Sequence, residues 1–433
     1  MSKYLTQCNK SYEIFNINTD LSLLSQLFRI ILNNFATFKI NHFMQTKILV
    51  LGGGFAGVEA AIKLRKYGYE VTLISERDYM FIYPVSIWIP VGKRSFKDTQ
   101  LNLFDLGKKH GFKVLIEHIT QIDSTQQQIH TDTNTHSYDY LFIALGMGKV
   151  KIEGLEHTHS ICGKPDESVI IKEQLENLIT KGHGNIHVGF GGNPKDPTAT
   201  SVRGGPAFEL LFNISLFLKE KGLRDQIKLT FFAPMAEPGK RMGQKAYDKM
   251  DKFFAHYHVQ THFGKKIKKF TPNAIVFKDN TQLESDLTLY ISGGEGLDVI
   301  KKSGLPLNPA GFIEINELCR VEGHRDIYAI GDGAAIIEHP WAAKQGHVAE
   351  VMADVSTYNF HNRMMHKEKR KSYWEQLHII CVMDTGDGAA FVIRTRKKEF
   401  MIPLPIVGHW LKKAWGWYYK QTKMKRMFRI PGM

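Results

Sequence analysis

Several features are scarce or absent in this chain, and each absence excludes something. No run of eighteen apolar residues occurs anywhere in the 433 residues, so there is no evident transmembrane helix. Four cysteines, Cys8, Cys162, Cys319 and Cys381, are too few for a disulfide scaffold. The start of the chain lacks the basic, apolar and small-residue order of a secretory leader. Acidic residues nearly vanish at the other end: from Phe391 to Met433 there are eleven Lys/Arg against Glu399 alone. The net charge of +14 invites an anionic partner, either a nucleic acid or a membrane surface. No metal site is expected.

What is present is organised around Lys47 to Lys66, KILVLGGGFAGVEAAIKLRK. It reads as a buried strand, a glycine turn and a helix. Gly52, Gly54 and Gly57 fit G-x-G-x-x-G. The first glycine permits the turn, the second a close approach of backbone to a pyrophosphate, and the third close packing of helix on strand. Phe55 and Ala56 fall where the helix start offers amide N–H groups and positive dipole to phosphates. The next strand, EVTLISE, ends at Glu76, nineteen residues after Gly57, where a ribose hydroxyl needs an acceptor. This order of strand, turn, helix, strand and acid predicts a dinucleotide site.

Residues 1–45 are read as an N-terminal extension: a peripheral amphipathic helix, or an untranslated stretch if Met44 is the start. The segment RDYMFIYPVSIWIPVGKR carries Pro84 and Pro90 and cannot be one regular element. YDYLFIALGMG is a buried strand ending in Gly146 and Gly148, and RDIYAIGDGAA another ending in Gly331, Asp332 and Gly333. Between them NIHVGFGG begins a second unit of similar type. Its turn has no G-x-G-x-x-G, its loop is long, and the next strand ends in Ala233-Pro234 where a nicotinamide ribose would want an acid. The expected fold is therefore α/β, with two Rossmann-like dinucleotide-binding domains, one inserted in the other, plus a C-terminal membrane-associating region. The boundaries are 46–160 and 290–365 for the first domain, 161–289 for the second (a degenerate NAD site), and 366–433 for the C-terminal region.

The glycine fingerprint, LFIALGMG and IYAIGDG, in this order, resemble the two-dinucleotide-domain flavoproteins over residues 46–365. That resemblance implies FAD, with Asp332 at its ribityl chain. Three further stretches are similar to sulfide:quinone oxidoreductases: FIYPVSIWIPVGKR, HSICG at 159–163, and IICVMDTGDGAAFV at 379–392. AAKQGHVAEVM resembles the family's K-T-G helix and implies Lys344 near the flavin's pyrimidine edge; Pro84 would line the ring. A lone apolar cysteine is usually a small buried hydrophobe, which is the reading for Cys319. The resemblance instead implies that Cys162 and Cys381, 219 residues apart, are a redox pair. Sulfide would attack that pair, and electrons would pass through a thiolate–flavin adduct to FAD and on to membrane quinone, releasing sulfur or polysulfide. Many relatives carry a third cysteine upstream of the first. GMGKVKIEGLEHTHSIC has none, so covalent flavin attachment is not implied.

Two other classes share parts of these motifs: type II NADH:quinone dehydrogenases, and the flavoprotein subunit of flavocytochrome c sulfide dehydrogenases. The missing second fingerprint argues against the first, and the missing leader against the second. The tail, IPLPIVGHWLKKAWGWYYKQTKMKRMFRI, suits a helix in a membrane interface. Val407, Leu411, Trp415 and Tyr418 would form its apolar face, with Lys412, Lys413, Lys420 and Lys423 toward anionic headgroups. The expected partners are sulfide, quinone and an anionic membrane surface, with no nucleic acid. A homo-oligomer is left open. The resemblance implies a peripheral protein of the bacterial inner membrane.

Overall fold

The structure is a computed structural model that describes residues 46–196, 198–336 and 341–428. The N-terminal extension, with Cys8 and Met44, lies outside the described residues.

In chain order the elements that position the site begin with β1 (Ile48–Leu51), α1 (Phe55–Lys66), β2 (Val71–Ser75), β3 (Lys113–Ile116) and β4 (Tyr140–Ile143). Next come α2 (Glu167–Lys181), β5 (Gly184–Phe190), α3 (Gly205–Glu220), β6 (Ile227–Ala233), α4 (Gln244–His256), β7 (Gln260–Phe263) and β8 (Leu287–Ile291). The chain then returns through β9 (Ile327–Ala329) and α5 (Gly346–Met364). It ends with β10 (Ile379–Asp384), β11 (Gly388–Arg394), β12 (Glu399–Pro405) and α6 (Val407–Lys423).

The first sheet is parallel in the order β9-β4-β1-β2-β3. Every residue of β1 is buried, as expected of a central parallel strand covered on both faces. α5 packs along α1, fastened by a Lys63–Asp354 ion pair at 2.6 Å and by Tyr67 stacked on His361 at 4.2 Å. The strand β9, far down the chain, therefore completes the sheet that β1 begins. The second sheet, also parallel, runs β7-β6-β5-β8. The strand crossing the expected 289/290 boundary, β8, pairs with β5 in this second sheet. Phe190, Phe208, Phe231 and Phe254 fill its helix-covered side, while Phe232, Phe270, Ile275, Phe277 and Tyr290 form a separate cluster.

The last region is an antiparallel sheet, β10-β11-β12, with α6 laid on it. Gly408 and Gly416 let the helix come close. A Cβ on either would stand 2.5 Å from Ala389 Cβ or 2.6 Å from Val85 Cγ1. The helix expected from the tail is present, but its expected faces hold only in part: Val407 and Leu411 are outward, while two of the lysines are not. Lys412 and Lys423, expected at the surface, are buried, 5% and 2% exposed. Lys412 pairs with Glu209, and Lys423 with Glu59 and, at 2.7 Å, with Glu350. Burying a charged lysine is costly unless its charge is matched, and three acids from α1, α3 and α5 match these two. Trp415 and Tyr418 are half-buried, the first beside Tyr419 and the second donating to Phe428 O. The outward apolar face is instead Val407, Trp410, Leu411 and Trp417, continued by Ile406 and by Phe400 and Ile402 of β12. Among the described residues no helix is long and apolar enough to cross a membrane.

Candidate functional site

The glycine turn between β1 and α1 shows three different constraints at its three glycines. Gly52 sits at φ +106°, and a Cβ there would lie 2.3 Å from Ala144 O. A Cβ on Gly57 would lie 1.9 Å from Gly52 O, so the helix can only seat this close on the turn with glycine. A Cβ on Gly54 would meet nothing within 4 Å. Gly54 is thus required by neither fold nor packing, and the space it keeps open is where a ligand's backbone contact would be made. The first intrahelical bond runs from Val58 N to Gly54 O at 3.0 Å, which leaves the amides of Phe55, Ala56 and Gly57 ahead of it. α1 has no acid in its first turn and no side-chain cap. Its positive end is reserved. Glu76, just past β2, has its side chain 62% exposed, 3.9 Å from His118 Nδ1.

Residues from far down the chain close on this turn. Gly331, at φ +71°, brings its α-carbon face against Ala56 and Ala349, and Gly333 lies against the Gly146 carbonyl. Gly146 itself, at φ +79°, has open space around it. The turn, Gly146 and the Gly331-Asp332-Gly333 corner are therefore one locus. Lys344 lies beside them, 3% exposed, donating to Ala334 O with its ammonium 4.1 Å from the Phe312 ring centre. Burial lowers its pKa to about 8, partly opposed by Asp332 and Asp196. Two polar atoms near this locus are buried with no partner: Gln345 Oε1, just ahead of α5, and Arg203 Nε.

Arg203 was not singled out from sequence. It pairs with Asp332, and its positive charge acts against the effect of burial on the Cys162 thiol. Burial pushes the Cys162 thiol above its ordinary value, and Arg203 and Lys149 offset that only in part. Lys149 Nζ stands 2.8 Å from where a Cβ on Gly163 would be. Tyr83, next to the half-buried Pro84, donates to Gly163 O at 3.0 Å. Cys162 thus belongs to the same cluster as Asp332.

Cys381, on β10, has different company. Its thiol is pushed up to about 12 by burial and by the Glu209 carboxylate, with Lys412 pulling the other way. Glu209 Oε1 accepts from the Asp384 amide at 2.9 Å as well as from Lys412. Asp384 in turn accepts from His409 Nδ1 at 2.7 Å, Asn213 Nδ2 at 3.0 Å and Trp88 Nε1 at 3.1 Å. Arg203 stands two residues ahead of α3 and Glu209 within its second turn, so both cysteine environments border the start of one helix. Among the described residues no disulfide is formed; Cys162, Cys319 and Cys381 are thiols, and Cys319 is fully buried.

The second domain's corresponding turn is spent on itself. Asp196 accepts from Ser201 N and Oγ and from Thr198, and Asn193 Nδ2 donates to Gly294 O at 2.9 Å. The loop carbonyls of Ala199 and Thr200 accept from Arg241 and from the Lys344 amide. In place of a glycine cradle stands a satisfied polar loop that delivers Arg203 to the first domain. A separate cavity of about 490 Å³, lined by Asp139, Tyr140, Asp326 and Arg363 among others, lies at the starts of β4 and β9. Ligands of such sheets bind at the opposite, carboxyl ends of the strands.

Comparison with known proteins agrees with this layout. The family pattern of the pyridine nucleotide-disulphide oxidoreductases matches residues 46–349. The chain is 24% identical over 371 residues to a sulfide-quinone reductase of Aquifex aeolicus, covering 80% of this chain and 83% of that protein. It is 24% identical over 376 residues to a type II NADH:quinone oxidoreductase of Staphylococcus epidermidis, covering 80% and 89%. The solved sulfide:quinone oxidoreductase of Aquifex aeolicus superposes with a TM-score of 0.78 at 22% identity, covering 88% of this chain and 92% of that one. NDH2 of Plasmodium falciparum, solved with NADH, gives 0.67 at 15% identity over 90% and 100%.

Proposed function

The chain belongs to the pyridine nucleotide-disulphide oxidoreductase family, and on that premise we propose that it is an FAD-dependent sulfide:quinone oxidoreductase. The FAD domain comprises 46–160 and, beyond β8, 292–365. Gly52, Gly54, Phe55, Ala56 and Gly57 would hold the pyrophosphate, Glu76 a ribose, and Gly146, Gly331 and Asp332 the ribityl side. Pro84 and Lys344 would lie toward the ring system. The residues fit such a group: Gly54 and Gly146 keep open space, and Gln345 Oε1 and Arg203 Nε lack partners. When bound, FAD supplies a two-electron carrier between the sulfur donor and quinone.

The protein's own part in the sulfur chemistry falls to Cys162 and Cys381. HS⁻ attacks the S–S bond of the oxidised pair. A new S–S bond forms on the attacked cysteine as a persulfide, the other sulfur leaves as thiolate, and the sulfide proton goes to solvent. Over a turnover sulfide sulfur gives up two electrons, and quinone with two protons takes them up as quinol. The observation that carries this reading is the position of Cys162 in one cluster with Asp332, at the glycine locus. The self-satisfied loop at Asp196 supports it over an NADH donor. The outward face of Trp410, Leu411, Trp417, Ile406 and Phe400 suits the surface of a membrane that dissolves quinone. Cys162→Ser and Cys381→Ser are the test. Each is expected to bind FAD and to lose flavin bleaching by sulfide. Bleaching at the parent rate in both removes the cysteine-pair mechanism.

A further inference from the structure

Cys162 and Cys381 come from distant parts of the chain, and one short stretch is bonded to the surroundings of both. Cys162 sits in a turn closed by Gly163 N, which donates to Ser160 O at 2.9 Å. The Tyr83 hydroxyl donates to Gly163 O at 3.0 Å. Trp88 Nε1, on the same stretch as Tyr83, donates to Asp384 Oδ1 at 3.1 Å, and Asp384 closes β10, the strand that carries Cys381. The backbone between these two anchors is stiff. Tyr83–Ser86 is a helical turn with Pro84 in its first positions, where the ring fixes φ. Ser86 Oγ donates to Tyr83 O at 2.8 Å, and Ile89 N to Ser86 O at 3.0 Å. Val85, Ile87, Trp88 and Ile89 are buried. At a helical rise the chain advances about 8 Å from Tyr83 to Trp88. On the Gly163 side, Lys149 Nζ and Glu167 Cγ lie against Gly163, and Glu167 faces His159 Nδ1 at 3.3 Å. Burial raises the Tyr83 hydroxyl above its ordinary value, with Arg77 opposing, so it keeps its proton and donates at neutral pH. At the other end His409 and Asn213 donate to the same Asp384 carboxylate and hold it still for Trp88.

We propose that Tyr83 and Trp88 are positioning residues, the two ends of a clamp that sets where the Cys162 turn stands relative to the Cys381 strand. The clamp rests on the two hydrogen bonds and the stiff stretch between them. Only its purpose, holding two sulfurs for S–S exchange, rests on the functional reading above. A tether with two ends is lost when either end is released, so removing one donor should loosen the pair as much as removing both.

The test equilibrates flavin-loaded protein anaerobically in glutathione buffers. The two thiols give up two electrons to glutathione disulfide. The Cys162–Cys381 bond forms, the glutathione S–S bond breaks, and the two thiol protons end on the two glutathiones. Peptide mass spectrometry gives the equilibrium constant. Tyr83→Phe and Trp88→Phe are each expected to lower it by about two- to tenfold, the net effect of one hydrogen bond, and the double variant by no more than the larger single effect. Parent constants in both single variants, or a double variant whose loss is the product of the two, overturn the proposal. A second arm follows iodoacetamide alkylation of the reduced, flavin-loaded protein. Tyr83→Phe should raise the rate at Cys162 and Trp88→Phe the rate at Cys381, both of them half-buried. Fully buried Cys319 reports general opening and should not change. Unchanged rates at Cys162 and Cys381, or a rise at all three cysteines, overturn the proposal. A parent protein that forms no Cys162–Cys381 bond in any buffer sinks the cysteine-pair reading, and the alkylation arm then decides the clamp by itself. Should Trp88→Phe fail to fold with flavin, Tyr83→Phe decides it: a parent constant and a parent rate at Cys162 overturn the clamp.

Discussion

Replacing Lys412 by methionine removes one member of a buried ion pair and leaves the other in place. Glu209 is 4% exposed and would keep only the Asp384 amide, at 2.9 Å, as a partner. An uncompensated buried charge of this kind costs about 3–5 kcal/mol. Much of that cost should fall on α6 and β10, because the pair joins α6 to α3 across the C-terminal sheet. The sign of the pH dependence follows from Glu209. Burial already raises its carboxyl above the ordinary value, with Lys412 opposing, and removing Lys412 raises it further. The folded form then binds a proton that the unfolded form does not. The deficit is fully present above the raised folded pKa and is relieved as pH falls toward the ordinary carboxylate value of about 4.3. Hydrogen exchange of the Val407–Lys423 amides gives a local readout, which suits a chain of several domains better than one global midpoint. Lys412→Met should lose protection at pH 8 and regain part of it near pH 5. The double variant Glu209→Gln, Lys412→Met should recover most of it at both, since exchanging a whole buried pair for uncharged groups is often neutral. A cost below about 1 kcal/mol with no pH dependence would mean a solvent-relaxed pair. The account of how α6 is held would then be wrong.

Other outcomes follow from the same geometry. Gly54→Ala should fold and melt like the parent but load flavin poorly, because its Cβ meets nothing in the protein. Gly57→Ala should be unstable with or without flavin, because its Cβ meets Gly52 O at 1.9 Å; equal behaviour of the two would contradict the division of labour in the turn. Glutamate at Trp410, Leu411 and Trp417, all exposed, should abolish co-sedimentation with anionic vesicles while leaving the fold intact. Undiminished sedimentation would remove that face as the membrane contact. Truncation after Pro405 is a poorer test, since it removes the lysines that pair with the buried Glu59, Glu209 and Glu350.

Local features were legible in the sequence, and features depending on distant partners were not. The turn at Gly52, Gly54 and Gly57 could be read because strand, glycines and helix lie within twenty residues and each glycine answers to a neighbour. The orientation of α6 could not. Its apolar residues and lysines alternate so closely that either face could be the inner one. The decision is made by Glu209, 203 residues away from Lys412, and by Glu59, 364 residues away from Lys423. One signal was available: Glu209 is a lone acid inside the apolar run PAFELLFNISLFL, where a charge needs a buried partner. Arg203 was missed for another reason. Its loop carries no cradle motif, and its partner Asp332 lies 129 residues away.

The most direct measurement mixes purified, flavin-loaded protein anaerobically with sulfide and, separately, with NADH, and follows the flavin absorbance. Rapid bleaching by sulfide, reversed by a quinone, with little effect of NADH, is the predicted result. Bleaching by NADH and none by sulfide would contradict the central claim and assign the chain to NADH:quinone chemistry.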